Sequence, residues 1–180
     1  MESLRRQLRG ARWGLPLARE IAEKIGRDKA AVRALVRELF GDDVEVRKRA
    51  ADVARRITER DGRLLEVYAD ELAGLLETLP VGESRTRWHL GLVVPRVAHT
   101  RAQLLRVART MSLLAGDESN VVRCSAVEGL GLLAVREESL RDEAEEMIER
   151  YLREGTTAMK NRARRWKEKL EKARAAGQDI

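Results

Sequence analysis

Cysteine is almost absent from this sequence of 180 residues, in which Cys124 is the only one. A single cysteine excludes an intrachain disulfide and a cysteine-cluster metal site, and it is compatible with a reducing compartment. Long apolar runs are missing as well: no stretch approaches the roughly 18 residues that cross a bilayer, and no apolar signal-peptide core follows the start. We therefore expect a cytoplasmic protein that is neither secreted nor bound to a membrane.

Aromatic residues and proline are also scarce, at 3% of the residues and three prolines. Their scarcity disfavours β-rich folds, whereas 43% hydrophobic and 37% charged residues favour long helices in a chain of one-domain length. Basic residues outnumber acidic ones by only 36 to 30, a net charge of +6. This mixed surface does not by itself indicate nucleic-acid binding.

Motifs for catalysis or for a cofactor are missing too. His89, His99 and Cys124 do not have the spacing of zinc ligands. Gly129 and Gly131 lack the third glycine and the preceding strand of a dinucleotide site, and no phosphate-binding loop with Gly-Lys-Ser/Thr occurs. We therefore predict no metal site, no cofactor and no enzymatic activity.

What the sequence does contain is an internal repeat. Four segments align when Arg47, Arg87, Arg123 and Lys160 are placed in one column, at spacings of 40, 36 and 37 residues. Apolar or small residues recur one position before this column and three, six and ten positions after it, and these steps are typical of one face of a helix. Cys124 lies off this stripe, so we expect it to be partly exposed. The stripe consists of Val46, Ala50, Val53 and Ile57, then Thr86, Leu90, Val93 and Val97, then Val122, Ala126, Gly129 and Leu133, and finally Met159, Ala163, Trp166 and Leu170.

A second amphipathic segment precedes each of these helices. The four segments lie at residues 28–40, 64–79, 101–115 and 138–154. Glycine, proline and aspartate residues separate the two helices of each pair, where they supply helix ends and N-caps. The sequence therefore predicts an N-terminal capping helix or helices, four helix pairs and a C-terminal tail within one domain, at 1–27, then 28–60, 64–99, 101–136 and 138–174, and last 175–180.

The turn and helix from Gly41 to Arg47, which read Gly-Asp-Asp-Val-Glu-Val-Arg, resemble the second helix of a HEAT repeat, and Asp117 to Arg123 resemble another. The resemblance covers about residues 28–170. It implies an all-α, right-handed superhelix of four to five helix pairs, with the second helices at 43–58, 84–99, 119–136 and 157–174 on its concave side. It also implies a ladder of ion pairs between neighbouring repeats, which would join Asp42 or Asp43, Glu83, and Asp117 or Glu118 with Arg47, Arg87 and Arg123.

On these second helices, the positions two and nine after the basic column share a face, and basic residues recur there. We predict that this surface belongs to a noncatalytic scaffold and binds a protein partner, through an acidic segment, by charge complementarity. Trp88 is the best anchor, because interfaces concentrate binding energy in Trp and Arg, although it can equally serve as a wedge between repeats. The predicted partner-binding residues are Arg49, Arg56, Trp88, His89, Arg96, Arg162, Arg165 and Lys169.

Three other interpretations of this surface stay open. It could be a solvated, charge-balanced groove that binds nothing. It could be a nucleic-acid-binding module that uses the groove together with the basic segment from Lys160 to Arg174. By fold analogy alone, it could be a HEAT-like DNA alkylation-repair glycosylase, with Trp88 as the aromatic side chain and Asp52 as the catalytic acid. The sequence leaves the oligomeric state undetermined.

Overall fold

The computed structural model describes residues 4–10 and 12–178, and it is helical along this part of the chain. No strand occurs among the described residues. Two short 3₁₀-helices occur, at Gly62–Tyr68 and Glu138–Leu140. The α-helices are α1 (Leu4–Arg9), α2 (Leu15–Ile25), α3 (Lys29–Leu39), α4 (Val44–Arg60), α5 (Ala69–Thr78), α6 (Ser84–Val97), α7 (Arg101–Leu114), α8 (Asn120–Arg136), α9 (Arg141–Glu154) and α10 (Thr157–Gln178).

Capping side chains explain why several of these helices begin where they do. Asp28 Oδ1 accepts hydrogen bonds from the first-turn N–H groups of α3, at 2.8 and 3.3 Å, and Asp43 Oδ1 accepts one from Val46 at 3.1 Å. Thr100 and Gln103 form a capping box at the start of α7. Each cap satisfies a backbone donor that the helix leaves free and contributes about 1 kcal/mol.

The four predicted helix pairs are present as α3 with α4, α5 with α6, α7 with α8, and α9 with α10. The second helices also contact one another in chain order: α4 packs on α6, α6 on α8, and α8 on α10. The N-terminal segment adds α2 against α4, and α1 against α3 and α4. The second helices thus form the main row of contacts through the molecule.

The core follows the apolar stripe that the repeat predicts. Every non-glycine side chain of the four columns is at most 5% exposed, so the predicted burial is confirmed. Glycine belongs to this packing where helices approach most closely. A Cβ atom added at Gly131 would lie 2.5 Å from the Trp166 ring, and one added at Gly129 would lie 2.5 Å from the Met111 sulfur.

The structure differs from the sequence-based expectations in four places. Cys124 is buried, at 3% exposure, because α8 contacts α6, α7, α9 and α10 and therefore buries positions on either side of its stripe. Helix α10 continues to Gln178, into the segment expected to be a tail. The helices expected at 64–79 and at 138–154 are each a 3₁₀-helix followed by an α-helix, α5 and α9. Within the described residues, no helix combines the length and the apolar character that crossing a membrane requires.

Candidate functional site

Among the ion pairs that link consecutive helix pairs in the described part of the chain, two are largely buried. Arg47 on α4 donates two hydrogen bonds to Glu83, which lies just before α6: Nη2 to Oε1 at 2.6 Å and Nε to Oε2 at 3.0 Å. Arg87 on α6 pairs through Nη1 with Oδ2 of Asp117, which precedes α8. The Glu83 side chain is 8% exposed and that of Asp117 is 3% exposed, and hydrogen bonding to Glu83 raises the pKa of Arg47. Arg47 and Arg87 therefore pair with carboxylates of the chain itself.

A cleft opens where the start of α2 meets α4 and α6, and its volume is about 410 Å³. It brings together Arg56, Trp88 and His89 from the predicted binding surface, and also Asp52. Four cationic side chains and one carboxylate line it, so its walls are strongly basic. The lining residues are Trp13, Gly14, Leu15, Lys48, Asp52, Arg55, Arg56, Arg85, Trp88 and His89.

Asp52 is the carboxylate at the centre of this wall. Its Oδ1 lies 3.2 Å from Arg55 Nη2 and 3.0 Å from Arg56 Nη2, and all three side chains are at most 16% exposed. A single negative charge is thus shared by two guanidinium groups. The pairing fixes both arginines on α4 and leaves the cluster with an excess of positive charge.

Trp88 and His89 form the facing wall on α6. Their rings stack with centroids 4.4 Å apart, and the guanidinium groups of Arg55 and Arg85 lie 6.0 and 5.6 Å from the Trp88 centroid. Burial lowers the pKa of His89 to about 4, and although Asp52 opposes this effect, the surrounding arginines reinforce it. His89 is therefore neutral near pH 7, and the charge of the cleft comes from arginine and lysine.

Unpaired donors concentrate at this cleft. Eight buried side-chain nitrogens in the described part of the chain lack a hydrogen-bond partner, and four of them belong to residues that line the cleft. They are Arg55 Nε, Arg56 Nε, Trp88 Nε1 and His89 Nδ1. A buried polar group without a hydrogen bond lowers the stability of the fold by about 1–3 kcal/mol. The cleft therefore contains several hydrogen-bonding groups that the folded chain leaves unpaired.

Arg49 has a different role from the other predicted residues of α4. Its Nη1 donates to the carbonyl oxygens of Leu8 at 2.8 Å and Gly10 at 2.6 Å, and its guanidinium lies 5.3 Å from the Trp13 ring centroid. Its side chain is only 12% exposed. Arg49 therefore positions the N-terminal segment, which in turn places Trp13 on the wall of the cleft.

Three of the four remaining predicted residues gather around Glu128 on α8. Arg96, Arg162 and Arg165 approach this carboxylate at 3.7, 3.1 and 3.2 Å, and they come from α6 and α10. Lys169 lies instead over the Trp166 ring, at 4.3 Å from its centroid. The predicted basic surface is therefore divided between an ion-pair cluster at Glu128 and the open cleft at Asp52.

Four charged or aromatic side chains of the cleft were not predicted from the sequence: Trp13, Lys48, Arg55 and Arg85. Trp13 lies in the segment before α2, outside the repeat, and the Arg49 guanidinium on α4 lies over its ring. Arg85 could have been predicted, because it stands three and four positions before Trp88 and His89 and so shares their helix face.

Comparisons of the chain with family models, curated proteins and solved structures find no match.

Proposed function

We propose that this chain is a noncatalytic, HEAT-like scaffold that binds an acidic protein segment at the cleft between α2, α4 and α6. The observation that carries the proposal is the composition of the cleft, in which four cationic side chains and two indole rings surround a single carboxylate. Tryptophan and arginine are the residues that most often dominate the binding energy of protein interfaces. An acidic segment supplies the charge that this surface lacks.

The architecture we propose is a right-handed superhelix whose second helices, α4, α6, α8 and α10, form the concave side. Support comes from the chain-order contacts between these helices and from the largely buried ion pairs of Arg47 with Glu83 and of Arg87 with Asp117. Such stacks present extended, rigid surfaces, and their usual work is to bind partners. In this proposal the cleft lies toward the N-terminal end of the concave side.

A protein segment fits the charge arrangement better than a nucleic-acid backbone does. A phosphate backbone requires a row of cations that are free to release counterions. On α10, however, Arg162 and Arg165 contact Glu128, Lys167 contacts Glu149 at 2.6 Å, and Arg174 contacts Glu145 at 3.1 Å. These four contacts leave fewer cations of α10 free to pair with a phosphate backbone, and this favours a protein segment as the partner.

The experiment that tests the proposal measures the affinity of labelled Asp- and Glu-rich peptides for the intact chain by fluorescence polarisation. Arg85→Ala removes an exposed cation of the cleft and should weaken binding at least tenfold. Arg37→Ala, an exposed arginine on α3, is the matched control and should leave the affinity unchanged. Equal affinities for both variants, or no binding of any acidic peptide, would exclude the cleft as the site.

A glycosylase remains the second candidate function, because Asp52, Trp13 and Trp88 line one cleft. Under this alternative, Asp52 is the catalytic acid and the indole rings receive an alkylated base. The pairing of Asp52 with two arginines favours a charge-balancing role instead. Release of base from alkylated DNA that disappears in Asp52→Asn would establish the enzyme, and an inactive wild-type chain would dismiss it.

A further inference from the structure

The charged side chains in and around the cleft do not pair one to one. Lys48 and Arg49 both contact Glu45, at 2.6 and 2.8 Å, and Arg55 contacts Glu59 as well as Asp52. Among the described residues, Arg85 contacts the Trp88 ring and no carboxylate. The region therefore contains two more cations than carboxylates. The cations are Lys48, Arg49, Arg55, Arg56 and Arg85, and the carboxylates are Glu45, Asp52 and Glu59.

Several polar atoms of the residues that line the cleft have no hydrogen-bond partner. His89 is 7% exposed, lines the cleft and has no partner for Nδ1, and two arginine Nε atoms are also unpaired. Asp52 engages only one terminal nitrogen of each neighbouring arginine. A ligand with several acceptor oxygens could pair with Arg85 and with the guanidinium of Arg56 while Asp52 stays in place.

The start of helix α2 adds a further positive element to the same wall. Gly14 and Leu15 line the cleft, and Gly14 is an extended N-cap residue without a side-chain cap. The N-terminus of this 11-residue helix carries partial positive charge that favours anions, although Pro16 in its first turn has no N–H to donate. Together with the buried, unpartnered His89, it points to an anionic ligand at this position.

From these features we infer that the group bound in the cleft is a phosphate monoester, carried as a phosphorylated side chain on the acidic segment. The inference rests on the proposed function and specifies its ligand. A phosphate monoester carries about −1.5 to −2 charges near neutral pH and three strong acceptor oxygens, which matches the excess of two cations. A carboxylate brings one charge and two oxygens, and it leaves half of the excess uncompensated. The indole rings of Trp13 and Trp88 flank the stem of the modified residue.

The test compares three peptides of one acidic sequence that carry phosphoserine, serine or glutamate at the central position, with inorganic phosphate and a 5′-phosphorylated single-stranded oligonucleotide as further ligands. Binding is followed by the NMR signals of the three indole N–H groups. We expect the phosphopeptide to bind at least tenfold more tightly than the other two peptides. The signals of Trp13 and Trp88 should shift, whereas that of Trp166, which is buried on α10, should not.

Arg85→Gln should reduce the affinity for the phosphopeptide at least tenfold, and Arg37→Gln should not change it. Equal binding of all three peptides at Trp13 and Trp88 would overturn the phosphate inference while leaving the proposed function intact. Binding of none of them would overturn both. A response to inorganic phosphate without tighter phosphopeptide binding would identify a small phosphate as the ligand and contradict the inference, as would preferential binding of the oligonucleotide.

Discussion

The ion pair between Arg47 and Glu83 gives the sharpest stability prediction. Glu83→Ala leaves the guanidinium of Arg47, whose side chain is 14% exposed, with the Gly41 carbonyl but without its carboxylate. Two charge-assisted hydrogen bonds are lost, at 2.6 and 3.0 Å. Because charge-assisted bonds contribute about 1.5–3 kcal/mol and stranding a buried charge costs about 3–5 kcal/mol, we expect a loss of about 2–4 kcal/mol at this partly buried site.

The assay is urea unfolding followed by circular dichroism, with linear extrapolation of the free energy of unfolding to water. For a chain of this size, the same loss corresponds to a melting temperature lower by roughly 4–16 °C. The double variant Arg47→Ala with Glu83→Ala should cost less than the sum of the two single variants, because the pair acts as a unit.

A matched control is the pair between Arg60 and Glu23, which also joins two helices and has almost the same sequence separation, 37 residues against 36. Its side chains are 58% and 60% exposed, with the atoms 2.9 Å apart. Exposed pairs contribute about 0–1 kcal/mol, so Glu23→Ala should have little effect. If Glu83→Ala cost no more than Glu23→Ala, the pair would not hold consecutive helix pairs together.

Two further predictions concern the core and the pH dependence of stability. Gly131→Ala should cost about 1–3 kcal/mol, because its Cβ atom would meet the Trp166 ring, whereas Gly82→Ala has open space and should be neutral or slightly stabilising in the same urea assay. The pKa of His89 is about 4 in the folded chain, against an ordinary value of 6.5. Between these pH values the imidazole is protonated in the unfolded chain and neutral in the folded one. The free energy of unfolding therefore falls as the pH drops from 6.5 to 4. The wild type should lose about 3 kcal/mol more than His89→Gln over this range, and parallel pH profiles would contradict the assignment.

The helix pairs and the core could be predicted from the sequence because they depend on local periodicity. The stripe through Val46, Leu90 and Ala126 recurs at helical steps, and such a face has to be buried wherever the helices pack. The family resemblance implied an ion-pair ladder at Arg47, Arg87 and Arg123. The structure pairs Arg47 with Glu83 and Arg87 with Asp117, whereas Arg123 contacts Asn120. Glu118 is exposed.

The candidate site was predictable only in part, because its character depends on which charges meet across helices. Spacing placed Arg49 on the basic face, but spacing does not show that the carbonyl groups of Leu8 and Gly10 occupy its guanidinium. The same limit applies to Arg162, which shares Glu128 with two other arginines. Trp13 lies outside the repeat, so no periodic pattern connects it to Trp88.

The most direct test of the account is a charge reversal at the cleft. Arg85→Glu should abolish binding of the acidic peptide that the wild-type chain binds most tightly, while Arg37→Glu on α3 keeps it. Peptide variants are then made in which one glutamate at a time is replaced by lysine. At least one of these peptides should bind the Arg85→Glu protein more tightly than the original peptide binds it. Identical affinities of the two variants for every peptide in the set would contradict the assignment of the cleft as the binding site.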